Sequence, residues 1–268
     1  MSLNLEEIKA RQQVMWSSGD YAKTAWITVP LADLLCEAVE VRPGSNVLDV
    51  ASGTGHVALA AARRFAHVTS SDYVPRLLEV GRARAAAELL EITFTEADAE
   101  NLPFEDGAFD FVLSAIGAMF APNQEKVASE LTRVCRVGGR VGMINWTLTG
   151  FLADLFKTIA SHVPPPEGLK GPMLWGQEER VRELFEGKVS DLSFIYGSVP
   201  QHFISPPHFV DFMLTNYGPT LKAFESLNQE QGELFRADLA ALTARHNRAK
   251  DGSLTYDSNY VIVVATRS

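Results

Sequence analysis

The run Val47-Leu48-Asp49-Val50-Ala51-Ser52-Gly53-Thr54-Gly55-His56-Val57-Ala58 reads as a strand that turns on glycine and leaves as a helix. Gly53 and Gly55 let the backbone pass close to a ligand with no Cβ in the way. The first helical turn offers unbonded N–H groups and a positive dipole end. Gly53 to Ala58 also satisfies the GxGxxG/A pattern of dinucleotide binders, so a nicotinamide or flavin ligand is one reading. Asp49 argues against it. Four residues before Gly53, at the carboxyl edge of the sheet, a carboxylate would repel a pyrophosphate. It suits a ligand bearing an ammonium group, met directly or through water, while the loop backbone receives a carboxylate. The plainer alternative is that Asp49 braces the turn.

Reading outward, Asp72 lies seventeen residues after Gly55, at the end of the next strand and before a helix that starts near Pro75. An acid at that place accepts hydrogen bonds from both ribose hydroxyls of a bound nucleoside. Tyr73 beside it covers the ligand or lies on the surface. S-adenosylmethionine is a nucleoside that carries both an ammonium and a carboxylate. From Asn46 to about Arg140, short apolar runs (Val47–Val50, His67–Ser70, Phe109–Leu113) alternate with Ala-, Leu- and Arg-rich helical stretches, the pattern of βαβ units and a parallel sheet. Residues 5–42 read as two or three helices, stopped at Arg42-Pro43-Gly44-Ser45. After the turn Val137-Gly138-Gly139, Arg140–Trp146 reads as a strand. Residues 147–185, with Val163-Pro164-Pro165-Pro166, read as a capping segment. A strand is expected near Val189–Tyr196, helices over 206–250, and a last buried strand at Tyr260–Ala265.

The bulk numbers narrow the partners. A chain of 268 residues, 46% hydrophobic and 21% charged, folds as one main α/β domain with an insertion or lid. A net charge of −9 without a basic run argues against nucleic acid. Cys36 and Cys135 each stand alone in segments that read as helix, so neither a disulfide framework nor a CxxC metal spacing is expected. Met1–Arg11 is polar, and no stretch approaches the ~18 apolar residues of a membrane span. The expected compartment is the cytoplasm, with no membrane partner.

Glu96-Ala97-Asp98-Ala99-Glu100-Asn101-Leu102-Pro103-Phe104-Glu105-Asp106-Gly107-Ala108-Phe109-Asp110, taken with Val47–Ala58 and Asp72, resembles the class I methyltransferases typified by ubiquinone and menaquinone biosynthesis C-methyltransferases. Arg133-Val134-Cys135-Arg136-Val137-Gly138-Gly139-Arg140 is similar to that family's helix–turn–strand segment. The resemblance covers roughly residues 45–147. It implies an α/β Rossmann-like methyltransferase fold: a mostly parallel seven-stranded sheet with helices on both faces and a helical cap. It also implies S-adenosylmethionine as cofactor, Asp98 near the adenine amino group, the Ala99 N–H on an adenine ring nitrogen, and the Ser114 carbonyl on the methionyl ammonium. Ala51 replaces the loop's first glycine and Val137 the usual proline; neither change disturbs the expected site. The cofactor set is therefore Tyr21, Asp49, Ala51, Gly53, Gly55, Asp72, Tyr73, Asp98, Ala99 and Ser114. One structural domain is expected, with residues 1–44 covering the cofactor, 45–147 binding it, and 148–268 forming the variable cap and final strands.

Methyl transfer from a sulfonium asks the protein to align a nucleophile, exclude water and, for some acceptors, remove a proton. The acceptor pocket is expected above the strand ends, with Trp16, Ile116, Met119, Phe120, Trp146 and Trp175 as candidate walls. None of the six histidines stands out as a base. Neither a catalytic residue nor a metal site is assigned. The expected activity is transfer to a small molecule by a monomer or homodimer. A non-catalytic cofactor-binding protein, a protein or RNA methyltransferase and an NAD-dependent oxidoreductase are the alternatives.

Overall fold

The computed structural model describes residues 4–268; Met1, Ser2 and Leu3, the start of the expected N-terminal segment, lie outside the described residues. Seven strands form one sheet: β1 (Asn46–Val50), β2 (His67–Asp72), β3 (Ile92–Glu96), β4 (Phe109–Ala115), β5 (Cys135–Trp146), β6 (Val189–Phe203) and β7 (Leu254–Arg267). Their order is β3-β2-β1-β4-β5-β7-β6, and only β7 runs against its neighbours. Val47, Leu48 and Val50, with Val112 and Leu113, are fully buried. Such continuous apolar runs suit central strands covered on both faces. The order reverses between β1 and β4, which opens a crevice at their carboxyl ends.

The helices are α1 (Leu5–Trp16), α2 (Tyr21–Thr24), α3 (Val29–Ala38), α4 (His56–Ala62), α5 (Pro75–Ala87), α6 (Gln124–Val134), α7 (Phe151–His162), α8 (Glu178–Phe185), α9 (Pro206–Asn216), α10 (Gly218–Ser226) and α11 (Gln229–His246). Local chemistry starts them. The Asn4 side chain accepts the Glu7 N–H at α1, Asn123 caps α6, Pro75 opens α5, and Asn228 with Gln231 forms a capping box at α11. α3 packs on β4 and β5, where Gly142 admits Val39; a Cβ there would stand 2.4 Å from the valine. No helix among the described residues is long and apolar enough to cross a membrane.

Three expectations need correction. Cys135 opens β5 instead of lying in a helix, because α6 stops at Val134. Both final strands outrun their expected spans, pairing antiparallel from Phe203↔Leu254 to Val189↔Arg267. β6 alternates buried and exposed residues past Tyr196, with Val199 and Gln201 inward, and Pro200 is tolerated because this strand is at the sheet's edge. The 147–185 segment divides: α7 packs on α11 and β7, whereas the short 3-10 helix Pro172–Gly176 lies on β5 and α8 on α6, in the body of the molecule.

Candidate functional site

Ala51, Gly53 and Gly55 carry the chain from β1 into α4 with φ of 51°, 55° and 79°. The left-handed conformation favours glycine at the second and third of these positions. It leaves α4 with an N-cap, Gly55, that has no side chain to offer. Asp49 supplies the cap from the strand below: its Oδ2 accepts the Ala58 N–H at 2.9 Å. With 1% exposure, Asp49 sits under the loop and does not line the crevice. Burial pushes its carboxyl up to about 8; the Ala58 bond opposes that shift and the Asp72 charge adds to it. Asp49 therefore braces the start of α4 through Oδ2, while its Oδ1, buried and without a partner among the described residues, keeps the acceptor capacity that the expected ammonium role needs.

Asp72 does reach the crevice. Its Oδ2 accepts the Gly53 N–H at 2.8 Å and its Oδ1 the Val74 N–H at 2.9 Å, so it ties the β1 loop to the start of α5. Burial pushes the acid up to about 6, against these backbone bonds. Each oxygen retains acceptor capacity for a ligand hydroxyl. Tyr73, Ala97, Asp98 and Ala99 continue the lining along the ends of β2 and β3, and Ile116, Gly117 and Ala118 complete it after β4. Together these residues line one cleft. Its floor is closely built: a Cβ on Gly117 would stand 2.0 Å from the Ala51 carbonyl oxygen.

Helix α1 covers this cleft through contacts that sequence reasoning missed. Lys9 Nζ reaches Asp98 Oδ2 at 2.6 Å and Glu100 Oε2 at 2.8 Å. Burial pulls the Lys9 ammonium down, but the hydrogen bonds and charges of the two acids outweigh it and hold its pKa above the ordinary lysine range. Gln12 Nε2 donates to the Phe120 carbonyl at 3.0 Å and Gln13 Nε2 to the Tyr73 carbonyl at 2.5 Å. One helix is thus pinned to the loops after β2, β3 and β4. Lys9, Gln12 and Gln13 lie on a weakly amphipathic polar helix, and no local pattern marks them as partners of residues 60 to 108 positions away.

A second cavity opens beside the cleft, and Trp16, Tyr21, Ile116 and Phe120 line both. Trp16 is the centre of an aromatic cluster, edge-on to Tyr21 (5.5 Å between centroids), Phe120 (5.0 Å) and Tyr217 (6.0 Å). Trp146, Leu152, Leu155, Phe203, Phe212 and Tyr256 extend the apolar wall. Ile116, at the junction, has φ 62°, a strained value for a β-branched residue.

Four further expected site residues lie elsewhere. Met119 is core, packed away from both cavities. Trp175 is fully buried with its ring 6.3 Å from Phe185, because its 3-10 helix sits on β5. Ser114, expected to act through its carbonyl, does not line the cleft, and its hydroxyl donates to the Val50 carbonyl and accepts the Ala118 N–H. Gly55 turns the backbone but does not line the cleft. The histidines line neither cavity. His162 pairs with Asp238, His246 with Asp154, and His56 is pulled down to about 4 by burial and then by Arg84. Among the described residues no group of three His, Cys, Asp or Glu is arranged to hold a metal.

The fold and the nucleoside-shaped cleft define a Rossmann-like methyltransferase, and comparison with known proteins agrees. Residues 47–139 match the family model described as a methyltransferase domain. An uncharacterized protein of Mycobacterium tuberculosis is 37% identical, covering 98% of this chain and 96% of its own. The demethylmenaquinone methyltransferase of Thermus thermophilus is 35% identical over 61% of this chain and 68% of its own. The crystal structure of YcgJ from Bacillus subtilis shares the fold, with a TM-score of 0.61 at 18% identity, covering 88% of this chain and 98% of its own. The chain belongs to the class I S-adenosylmethionine-dependent methyltransferases. Its methyl donor is S-adenosylmethionine.

Proposed function

We propose that the protein transfers the methyl group of S-adenosylmethionine to a small, uncharged-walled guest: an apolar organic molecule held in the second cavity. The observation that carries this reading is the wall shared by the two cavities, which brings a guest in one against the ligand in the other. The cleft suits the donor. Asp72 offers acceptors to the ribose, Asp98 and Ala99 stand at the adenine end, and the positive-φ loop Ala51–Gly55 presents backbone to the amino-acid end. The bound donor supplies a methyl group already activated on sulfur. The chain's own residues then position the acceptor against it and exclude water, with α1 as cover and the aromatic cluster as wall. The Thermus relative is named for demethylmenaquinone and one structural neighbour for geranyl diphosphate. A diphosphate fits poorly in a cavity lined by no Lys or Arg.

Calorimetry with S-adenosylmethionine, S-adenosylhomocysteine and NAD tests the donor: the first two bind and NAD does not. Transfer of labelled methyl to a panel of apolar acceptors tests the activity. Phe212→Asp, which places a carboxylate in the second cavity, abolishes transfer and leaves S-adenosylhomocysteine affinity within about threefold. Tight NAD binding without S-adenosylhomocysteine binding sinks the reading.

A further inference from the structure

The second cavity has aromatic and aliphatic walls but no carboxylate, imidazole, ammonium, guanidinium or thiol in its lining. Besides the indole N–H groups of Trp16 and Trp146, its polar hydrogens are on five hydroxyls. Those of Thr24 and Thr28 donate to the Tyr21 and Ala25 carbonyls of their own helices, so they are already committed. The other three belong to Tyr21, Tyr217 and Tyr256. Among the described residues, the only tyrosine hydroxyl with a hydrogen-bond partner is that of Tyr196, on the surface. The three cavity phenols are close enough to influence one another's ionisation: Tyr217 feels both Tyr21 and Tyr256. Burial, the largest cause in each case, holds all three protonated, with Tyr21 pushed up to about 12. They are donors.

The nearest titratable groups stand outside the cavity. Asp72, in the cofactor cleft, raises Tyr21. His208, with a buried Nδ1 that lacks a partner among the described residues, lies against the lining rings Phe203 and Phe212, 6.0 Å from each. His246 is paired with Asp154 and separated from Tyr256 by the Phe151 ring. None lines the cavity.

We propose that this cavity takes an acidic, hydrophobic acceptor that ionises in water before it enters, a charge-delocalised enolate or phenolate, and that Tyr21, Tyr217 and Tyr256 hold the anion by hydrogen bonds. The proposal rests on the methyltransferase reading above. The proton goes to solvent. In the cavity the anion's lone pair forms the new bond to the methyl carbon, the sulfur–carbon bond breaks, and its electron pair stays on sulfur. Anion and sulfonium disappear together, so a water-poor, low-dielectric chamber favours the step without a protein base.

The test uses the intact chain loaded with sinefungin, a stable analogue with an ammonium in place of the sulfonium. The paired probes are 4-nitrophenol and its methyl ether, 4-nitroanisole. Nitrophenolate is expected to bind at least about tenfold tighter than the ether, with the absorbance-monitored pKa of bound nitrophenol below its value in water. Tyr217→Phe and Tyr256→Phe each weaken the anion about tenfold and leave the ether within twofold. His208→Gln changes neither. Tighter binding of the ether, binding of neither probe, or loss of the anion preference in His208→Gln overturns the proposal. Calorimetry with sinefungin alone separates the two levels: failure there overturns the methyltransferase reading itself, and success there with the wrong probe preference overturns only the anion assignment.

Discussion

Asp72→Asn isolates the acid on which the donor site turns. The wild-type carboxylate accepts two backbone N–H bonds, from Gly53 and Val74. An amide keeps one and turns its own N–H₂ toward the other, leaving a buried donor unpaired at a cost of about 1–3 kcal/mol. A folded pKa of about 6 means that the fold already holds the ionised form at a cost of about 3 kcal/mol at neutral pH. Removing the charge offsets the lost bond, so the ligand-free variant melts within a few degrees of wild type. Affinity behaves differently. Loss of charge-assisted bonds to the ribose costs about 1.5–3 kcal/mol, which raises the Kd for S-adenosylhomocysteine about 10- to 150-fold. The pH dependence has a definite sign. A raised acid favours folding most below its unfolded pKa, and that contribution is lost as pH rises through about 6. Binding runs the other way: wild-type affinity falls as pH drops below 6, and the variant loses that inflection. Calorimetry from pH 5 to about 8, with melting curves alongside, decides the matter. A Kd within twofold of wild type at neutral pH, or an inflection that survives in Asp72→Asn, refutes the reasoning.

Asp49→Asn should leave S-adenosylhomocysteine affinity within about tenfold, because Asp49 caps α4 beneath the loop. Its carboxyl at about 8 contributes to stability at low pH and ceases to as pH rises through 8, so the neutral variant melts relatively higher at alkaline pH; an unchanged melting profile would speak against this. Ala51→Gly relieves a φ of 51° and should raise the melting temperature by about 1–3 °C with binding unchanged; a lower melting point contradicts the strain argument. Gly117→Ala forces a Cβ against the Ala51 carbonyl and should lose donor binding by calorimetry, whereas full affinity would show that the two loops part easily. Lys9→Met removes the ion pairs that tie α1 to Asp98 and Glu100 and should speed S-adenosylhomocysteine release in stopped flow and raise amide exchange in α1; unchanged rates would deny the helix its role as a cover.

The donor half was legible because its signals are local. A glycine turn between a strand and a helix, an acid at the next strand's end and the stretch around Asp98 each announce their geometry within a few residues. Asp49 was only half legible: sequence places it at the strand's edge, but not above or below the loop, and the missing cap at Gly55 draws it underneath. Trp175 and Met119 looked like cavity walls because large apolar residues serve core and pocket alike. The wall of the second cavity was half legible: Trp16, Ile116, Phe120 and Trp146 line it as expected, but Phe203, Phe212 and Tyr256 meet them only through tertiary packing of β6, α9 and β7, and no periodicity reports such a meeting.

The long antiparallel pair β6–β7 divides labour along the chain. The cleft is lined by loops between residues 51 and 122 and by α1, while Phe203 and Tyr256 bring the far wall of the second cavity from one end of the strand pair. Side chains alternate between faces along a strand, so adding or removing two residues there would reshape the chamber without turning its lining outward. Descendants of this scaffold thus have room to exchange one guest for another by editing a ribbon remote from the glycine turn, with the methyl-donor grip inherited intact.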